Sequence, residues 1–234
     1  MATIAGNLQA IKARIAAASA AVGRDPASVT LLAVSKTHPA ALLAEACAAG
    51  QRAFGENYVQ EAVAKMEALA LLIGADAARA LEWHLIGPLQ SNKTRIVAEH
   101  FAWIHTIERE KIAHRLSEQR PAGLAPLQVL VQVNVSGEAS KSGVAARQVA
   151  ALARTVAAMP RLRLRGLMAI PEPSEDAAIQ RARFRAVRRL FERLVEDGLA
   201  LDTLSMGMSD DFDAAILEGA TIVRIGTAVF GPRQ

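Results

Sequence analysis

The stretch TLLAVSKTHPA, residues 30–40, decides how the rest of the chain is read. Thr30–Val34 is a short run of aliphatic and branched residues, the pattern of a strand buried on both faces. A doubly wound nucleotide-binding sheet places a glycine-rich turn directly after its first strand. Here that position holds Ser35, Lys36, Thr37, His38 and Pro39. Lysine is among the residues least often buried, yet one stands at the carboxyl end of a core strand. Outward from this point the chain alternates. Strands are expected at Thr30–Val34, Arg52–Phe54, Trp83–Ile86, Trp103–Thr106, Gln128–Asn134, Leu164–Ala169, Leu201–Ser205 and Thr221–Ile225. Helical patterns fill the intervals at 40–49, 57–72, 90–98, 108–118, 144–158, 176–197 and 210–219. Eight strands alternating with helices in 234 residues predict an α/β fold, a single (β/α)8 barrel (TIM barrel) occupying 1–234 as one domain.

Two departures from the regular barrel are visible. After Ile225 only GTAVFGPRQ remains, so the eighth helix is truncated. An extra helix is expected near residues 2–22, where Ile4, Leu8, Ile11, Ile15 and Val22 keep helical spacing, and it would cover that gap. No linker interrupts the pattern. The one proline-rich spot, PEPSED at 171–176, falls where the loop after strand six belongs.

Composition narrows the class. The chain is 52% hydrophobic but only 4% aromatic, so its core is aliphatic and rich in alanine. The single cysteine, Cys47, has no partner for an internal disulfide, which argues for a reducing, cytoplasmic setting. No apolar run reaches the length of a membrane span. The segment before Asp25 lacks acidic residues and carries Lys12, Arg14 and Arg24, as a transit peptide would, but its apolar spacing is that of a packed helix. The formal charge of +4 is concentrated in RLRLRG (161–166) and in residues 179–197. In the latter, Phe184, Val187, Phe191 and Leu194 form an apolar stripe, while Arg181, Arg185 and Arg188 share another face. No aromatic residue interleaves that basic face, so the reading is a solvated helix and not a nucleic-acid surface.

In a barrel of this kind function sits at the carboxyl ends of the strands. Strand seven runs into LSMGMSDDFDAAI and strand eight into RIGTAVFG. Ser209 stands where the cap of helix 210–219 is expected, Gly207 supplies a turn, and Gly226 and Thr227 follow strand eight directly. Barrels often hold phosphate after these two strands. Plain capping accounts equally for Ser209, Asp210 and Asp211. Lys36 has two readings as well. It is either a lysine whose stem packs while its head stays in water, or a desolvated amine able to attack an aldehyde. Paired with a phosphate site, the aldehyde would be pyridoxal 5′-phosphate or a phosphorylated sugar.

Six motifs in order make the resemblance specific: AVSKTHP, FGENYVQE, WHLIGPLQSNK, QVNVSGEASKSG, GLMAIP and LSMGMSDDFDAAILEGATIVRIGTAVFG. From about residue 8 to residue 231 the chain resembles the YggS/PROSC family of pyridoxal phosphate homeostasis proteins. The resemblance implies a barrel like the N-terminal domain of alanine racemase, without that enzyme's second domain. It implies pyridoxal 5′-phosphate as cofactor, bound as a covalent aldimine to Lys36, and a role in vitamin B6 homeostasis without established turnover. It further implies Arg224 facing the pyridine nitrogen, and Ser209, Gly226 and Thr227 on the phosphate, with Met208 and Ser205 nearby. Asn57, His84 and Met168 would line the surroundings of the ring. His84 fits a core histidine hydrogen-bonded inside the barrel equally well. Lys141 is expected to precede a helix capped by Ser142 rather than to touch ligand.

The chemistry of these residues bears on carrier against enzyme. A guanidinium keeps its proton at ordinary pH, so Arg224 would donate to the ring nitrogen and leave it unprotonated, which weakens the electron sink. A two-base racemase also needs an acid–base group opposite the lysine, and the only tyrosine is Tyr58, beside strand two. The expectation is a monomeric reservoir that releases the cofactor to apo-enzymes. A pyridoxal phosphate-dependent racemase or related enzyme is the alternative, with a Schiff-base aldolase behind it.

Overall fold

Each strand of the chain hands over to a helix that returns it to the same end of the sheet. The computed structural model describes residues 3–135 and 142–232. The elements run α1 (Ile4–Ala20), β1 (Thr30–Val34), α2 (Ala40–Ala48), β2 (Ala53–Glu56), α3 (Val59–Ile73), α4 (Ala75–Arg79) and β3 (Glu82–Leu85). They continue α5 (Thr94–His100), β4 (Trp103–Ile107), α6 (Glu110–Gln119), β5 (Leu127–Asn134), β6 (Val144–Ala145), α7 (Ala146–Ala157) and β7 (Leu162–Ala169). Last come α8 (Ala177–Glu196), β8 (Thr203–Ser205), α9 (Phe212–Leu217), β9 (Ile222–Ile225) and α10 (Thr227–Phe230). Eight parallel strands close on themselves in the order β1-β2-β3-β4-β5-β7-β8-β9, with β9 returning to β1. The two-residue β6 lies outside the ring against the end of β5. This is the expected (β/α)8 barrel, and every expected strand is present.

Side chains alternate along each strand between the barrel axis and the helices. One apolar cluster, including Leu32, Trp103, Leu130, Met168 and Ile222, fills the lower interior of the barrel. The larger one lies between strands and helices. The eighth helix is the four-residue α10. Helix α1 packs over this place, burying Ile4, Leu8, Ile11 and Ile15, each such side chain contributing about 1.5–3 kcal/mol. Asn7 Nδ2 donates to Val229 O at 2.9 Å, tying α1 to α10, and Arg24 Nη1, from the turn after α1, donates to Ile216 O of α9 at 3.1 Å. Val22, expected on the apolar stripe, lies past the helix end and is exposed.

Two local expectations are corrected. Helix α9 begins at Phe212 behind Asp211, so Ser209 does not cap it. The cause is a turn closed by Met208 N donating to Asp211 Oδ1 at 2.6 Å. Ser142 does not cap α7, because Val144 and Ala145 first pair with Val133 and Asn134. Lys141 lies outside the described residues. Helix α4 is additional to the expected pattern, and Gly74, at φ 87°, separates it from α3.

Candidate functional site

Strand alternation explains why a lysine and an arginine meet at one mouth. Leu32, Val34 and Lys36 share a face of the β1 line, and Ile222, Arg224 and Gly226 share a face of the β9 line. The two strands are neighbours, with Leu32 in register beside Arg224. Both lines climb from the apolar interior to the carboxyl end of the barrel. There a cavity of about 570 Å³ opens, within the range of small-molecule sites.

Seven of the sequence-predicted residues line this cavity together: Lys36, Asn57, Met208, Ser209, Arg224, Gly226 and Thr227. Asn57 is brought in by close packing of backbone. A Cβ at Gly87 would lie 2.2 Å from Asn57 O, so only glycine lets the two loops touch. Gly207, at φ 94°, turns its carbonyl to accept the Arg224 backbone N–H at 2.9 Å. Asp210 and Ile170 also line the cavity, as does Arg14, which arrives from α1. The Arg14 guanidinium lies 4.2 Å from the centroid of the Phe212 ring and pairs with Asp213. Arg14 escapes a strand-end reading because the helix that carries it precedes the barrel.

Met168, Ser205 and His84 do not line the cavity. They are fully buried beneath it. Met168 packs in the interior apolar cluster. Ser205 and His84 belong instead to a chain of hydrogen bonds that crosses the barrel and ends on Arg224. Arg224 Nη1 donates to Ser205 Oγ at 2.7 Å, and Nη2 donates to Ala169 O at 2.9 Å. Ser205 Oγ lies 2.9 Å from His105 Nδ1, and His105 Nε2 lies 2.9 Å from His84 Nδ1.

The Glu82 end sets the direction of the chain: His84 Nε2 faces a carboxylate, which only accepts, so a neutral His84 carries its proton there and accepts on Nδ1. Ser205 Oγ accepts from the Arg224 guanidinium and gives its own hydrogen to His105 Nδ1. His105 then carries its proton on Nε2 and donates to His84 Nδ1, which leaves the His84 proton on Nε2. That nitrogen stands 3.8 Å from Glu82 Oε2, too far for a hydrogen bond, so its N–H points toward the carboxylate without reaching it. Both rings are neutral in this arrangement. Burial pushes His105 well below the usual histidine range, with the neighbouring His84 and Arg224 adding to it. Burial also lowers His84, the Glu82 carboxylate partly opposing. Arg224 is pulled down to about 10 by burial, against Asp211, and stays charged at neutral pH. His105 was not singled out from the sequence; its only signal is a histidine at an inward position of a core strand.

Residues 6–234 match the family model of the alanine racemase N-terminal domain. The pyridoxal phosphate homeostasis protein of Pseudomonas aeruginosa is 62% identical over 234 residues, covering 100% of this chain and 97% of that protein. The protein of the same name from Escherichia coli is 54% identical over 231 residues, 99% of this chain and 97% of that protein. This chain belongs to the pyridoxal phosphate homeostasis protein family. Among solved structures, PipY of Synechococcus elongatus, determined with pyridoxal phosphate bound, superposes with a TM-score of 0.84 at 38% identity, covering 98% of this chain and 100% of that one. An alanine racemase of Clostridium difficile superposes with a TM-score of 0.73 at 13% identity, and there the likeness is of fold alone. Homeostasis proteins of this family thus share the racemase barrel. Among the described residues no helix is long and apolar enough to cross a membrane.

Proposed function

We propose that this chain binds pyridoxal 5′-phosphate, held as a Schiff base on Lys36, and serves in the cytoplasm as a reservoir that releases it to other proteins without catalytic turnover. The observation that carries the reading is the convergence of Lys36, Arg224 and the Ser209, Gly226 and Thr227 group on one cavity. The donor set suits the ligand: an amine for the aldehyde, a buried guanidinium for the ring nitrogen, and two hydroxyls for the phosphate. When bound, the cofactor supplies the aldehyde electrophile. Lys36 provides the nucleophile, and Ser209, Gly226 and Thr227 anchor the phosphate beside it. Asn57 would line the surroundings of the ring and Met208 would lie near the phosphate, both being in the lining of the cavity. Ser205 and His84 act beneath the ligand, by holding Arg224.

A reservoir is favoured over a racemase by what the mouth lacks. Tyr58 is exposed and is not among the residues lining the cavity. Arg224 presents a donor to the ring nitrogen, which suppresses the electron withdrawal that α-proton chemistry uses. Release follows from the linkage itself, since an incoming amine displaces the Lys36 amine by exchange. Cys47 is a buried free thiol, in keeping with a reducing compartment.

The test is the visible absorption of the purified protein after incubation with pyridoxal 5′-phosphate, followed by borohydride reduction and peptide mapping. The expected result is an imine band whose reduced adduct maps to Lys36, together with no exchange of amino-acid α-protons in deuterated water. An unlabelled protein refutes the cofactor assignment, and α-proton exchange refutes the non-catalytic one.

A further inference from the structure

Lys36 stands between two residues that are both tied to a buried group of charges outside the cavity. Glu56 ends β2, and Glu61 and Lys65 lie one turn apart on α3. Lys65 is buried, and its ammonium donates to Ser35 O at 2.7 Å, Glu56 Oε1 at 2.6 Å and Glu61 Oε1 at 2.9 Å. All three of its hydrogens are therefore used. Ser35 Oγ donates to the same Glu56 Oε1 at 2.6 Å. The Thr37 backbone N–H donates to Glu61 Oε1 at 2.6 Å. His38 N closes the turn on Ser35 O at 3.0 Å.

Two features show that this arrangement is not the cheapest way to join β1 to α3. Thr37 is held at φ 67°, the only positive φ at a non-glycine among the described residues, and a β-branched side chain resists that conformation. Strain of this kind persists only where the surroundings over-determine it. Glu56 is fully buried, and its Oε2 has no hydrogen-bond partner among the described residues. Burial pushes its carboxyl upward despite Lys65. Buried ion groups often contribute less stability than apolar residues of the same volume. What this one does fix is geometry, at the residues before and after Lys36.

We propose that Lys65, acting through Glu56 and Glu61, locks the Ser35–His38 turn and so sets the direction in which Lys36 delivers its amine to the aldehyde. Lys65, Glu56 and Glu61 are positioning residues for the addition of Lys36 Nζ to the aldehyde carbon, in which the C=N bond forms and water leaves. The inference rests on the reading that Lys36 carries the cofactor. Misplacement of a reacting group by about 1 Å can cost on the order of 100-fold in rate, so loosening the turn acts on the covalent step and not on binding of ring and phosphate.

The experiment compares Glu61→Ala and Glu61→Gln with the parent protein. The Glu61 side chain is 31% exposed, so its truncation leaves the Lys65–Glu56 pair and the barrel in place. The rate of imine formation is followed by absorbance on mixing with pyridoxal 5′-phosphate. Binding without the covalent step is measured with pyridoxine 5′-phosphate, which carries an alcohol in place of the aldehyde. Glu61→Ala is expected to slow imine formation about 10-fold or more while leaving pyridoxine 5′-phosphate affinity within about twofold. Glu61→Gln, whose amide oxygen still accepts from Thr37 N–H, keeps most of the rate. An unchanged rate in Glu61→Ala, or an equal loss of rate and of pyridoxine 5′-phosphate affinity, overturns the positioning role. Lys36→Ala measured in parallel separates the two readings: if it retains the imine band, the assignment of Lys36 itself has failed.

Discussion

Acidification tests the chain of bonds beneath Arg224, because it asks a buried imidazole to accept a proton. The directions derived above keep His105 neutral, donating from Nε2 to His84 and accepting on Nδ1 from Ser205. Its pKa in the folded barrel lies well below the ordinary histidine value, through burial and the nearby His84 and Arg224. In the unfolded chain the same residue titrates near pH 6.5. Below that pH the unfolded state binds a proton that the folded state refuses, so the stability His105 contributes is present above about pH 6.5 and is lost as pH falls. Between about pH 7.5 and about pH 5.5 the loss is about 1.4 kcal/mol for one histidine held fully neutral. His84 adds to it in the same direction, by less, since Glu82 partly offsets its burial. The buried Glu56 carboxyl, pushed upward, works in the opposite sense. A comparison removes these other groups. His105→Phe keeps an edge-on ring against Trp103, where the histidine ring centroid lies 6.1 Å away, and cannot titrate. Urea unfolding of both proteins at the two pH values gives four free energies. The parent is expected to lose about 1.4 kcal/mol more than His105→Phe on acidification. Equal losses would mean that His105 takes up a proton inside the barrel, and the one-way chain would be wrong.

Two further outcomes follow from the cavity. Arg224→Lys keeps the charge but not the planar fork that reaches Ser205 and Ala169 at once; pyridoxal 5′-phosphate affinity, read by absorbance titration, should fall about 10-fold or more, each such charge-assisted bond being worth about 1.5–3 kcal/mol. Gly87→Ala forces a Cβ to within 2.2 Å of Asn57 O, and urea unfolding should show a loss of about 1–3 kcal/mol together with weaker binding at the displaced Asn57 loop.

The barrel was legible because its strands are short, apolar and regularly spaced, so boundaries erred by only a few residues. The errors have physical causes. The sequence pattern ends strand two at Phe54, whereas β2 runs to Glu56. A carboxylate can end a buried strand there only because Ser35 and Lys65, 21 residues before it and nine after, donate to it. The mouth of the site was legible for a related reason. Lys36, Arg224 and Gly226 fall at inward positions of the β1 and β9 lines by alternation, and Thr227 follows at once as the first residue of α10. Depth along the barrel axis was not legible. Ser205 and His84 share inward positions with the cavity residues but sit one layer lower, joined through His105 on a third strand. A single strand's pattern tells which face a side chain takes, whereas its height against its neighbours depends on the register of all eight.

That lower layer bears on why a barrel proposed to hold a reactive aldehyde would not turn it over. The hydrogen-bond partners of the Arg224 side chain are a hydroxyl and a carbonyl, both neutral. Asp211 is near enough to offset part of the burial, but its Oδ1 is engaged by Met208 N–H. To present an acceptor instead of a donor at the cavity floor, the guanidinium would have to lose its proton. With its pKa near 10 that step is far out of reach at neutral pH. Bonds that point from Ser205 through His105 to His84 are aligned for a relay away from Arg224, but that relay has nowhere to leave its charge. A charge moving along it would have to rest on an imidazole that burial keeps neutral. The floor of the cavity is thus fixed as a donor from below. In the proposed complex a ring nitrogen facing it accepts a hydrogen bond and remains unprotonated, and the carbanion chemistry that a protonated ring would support is held back by groups that never touch the ligand.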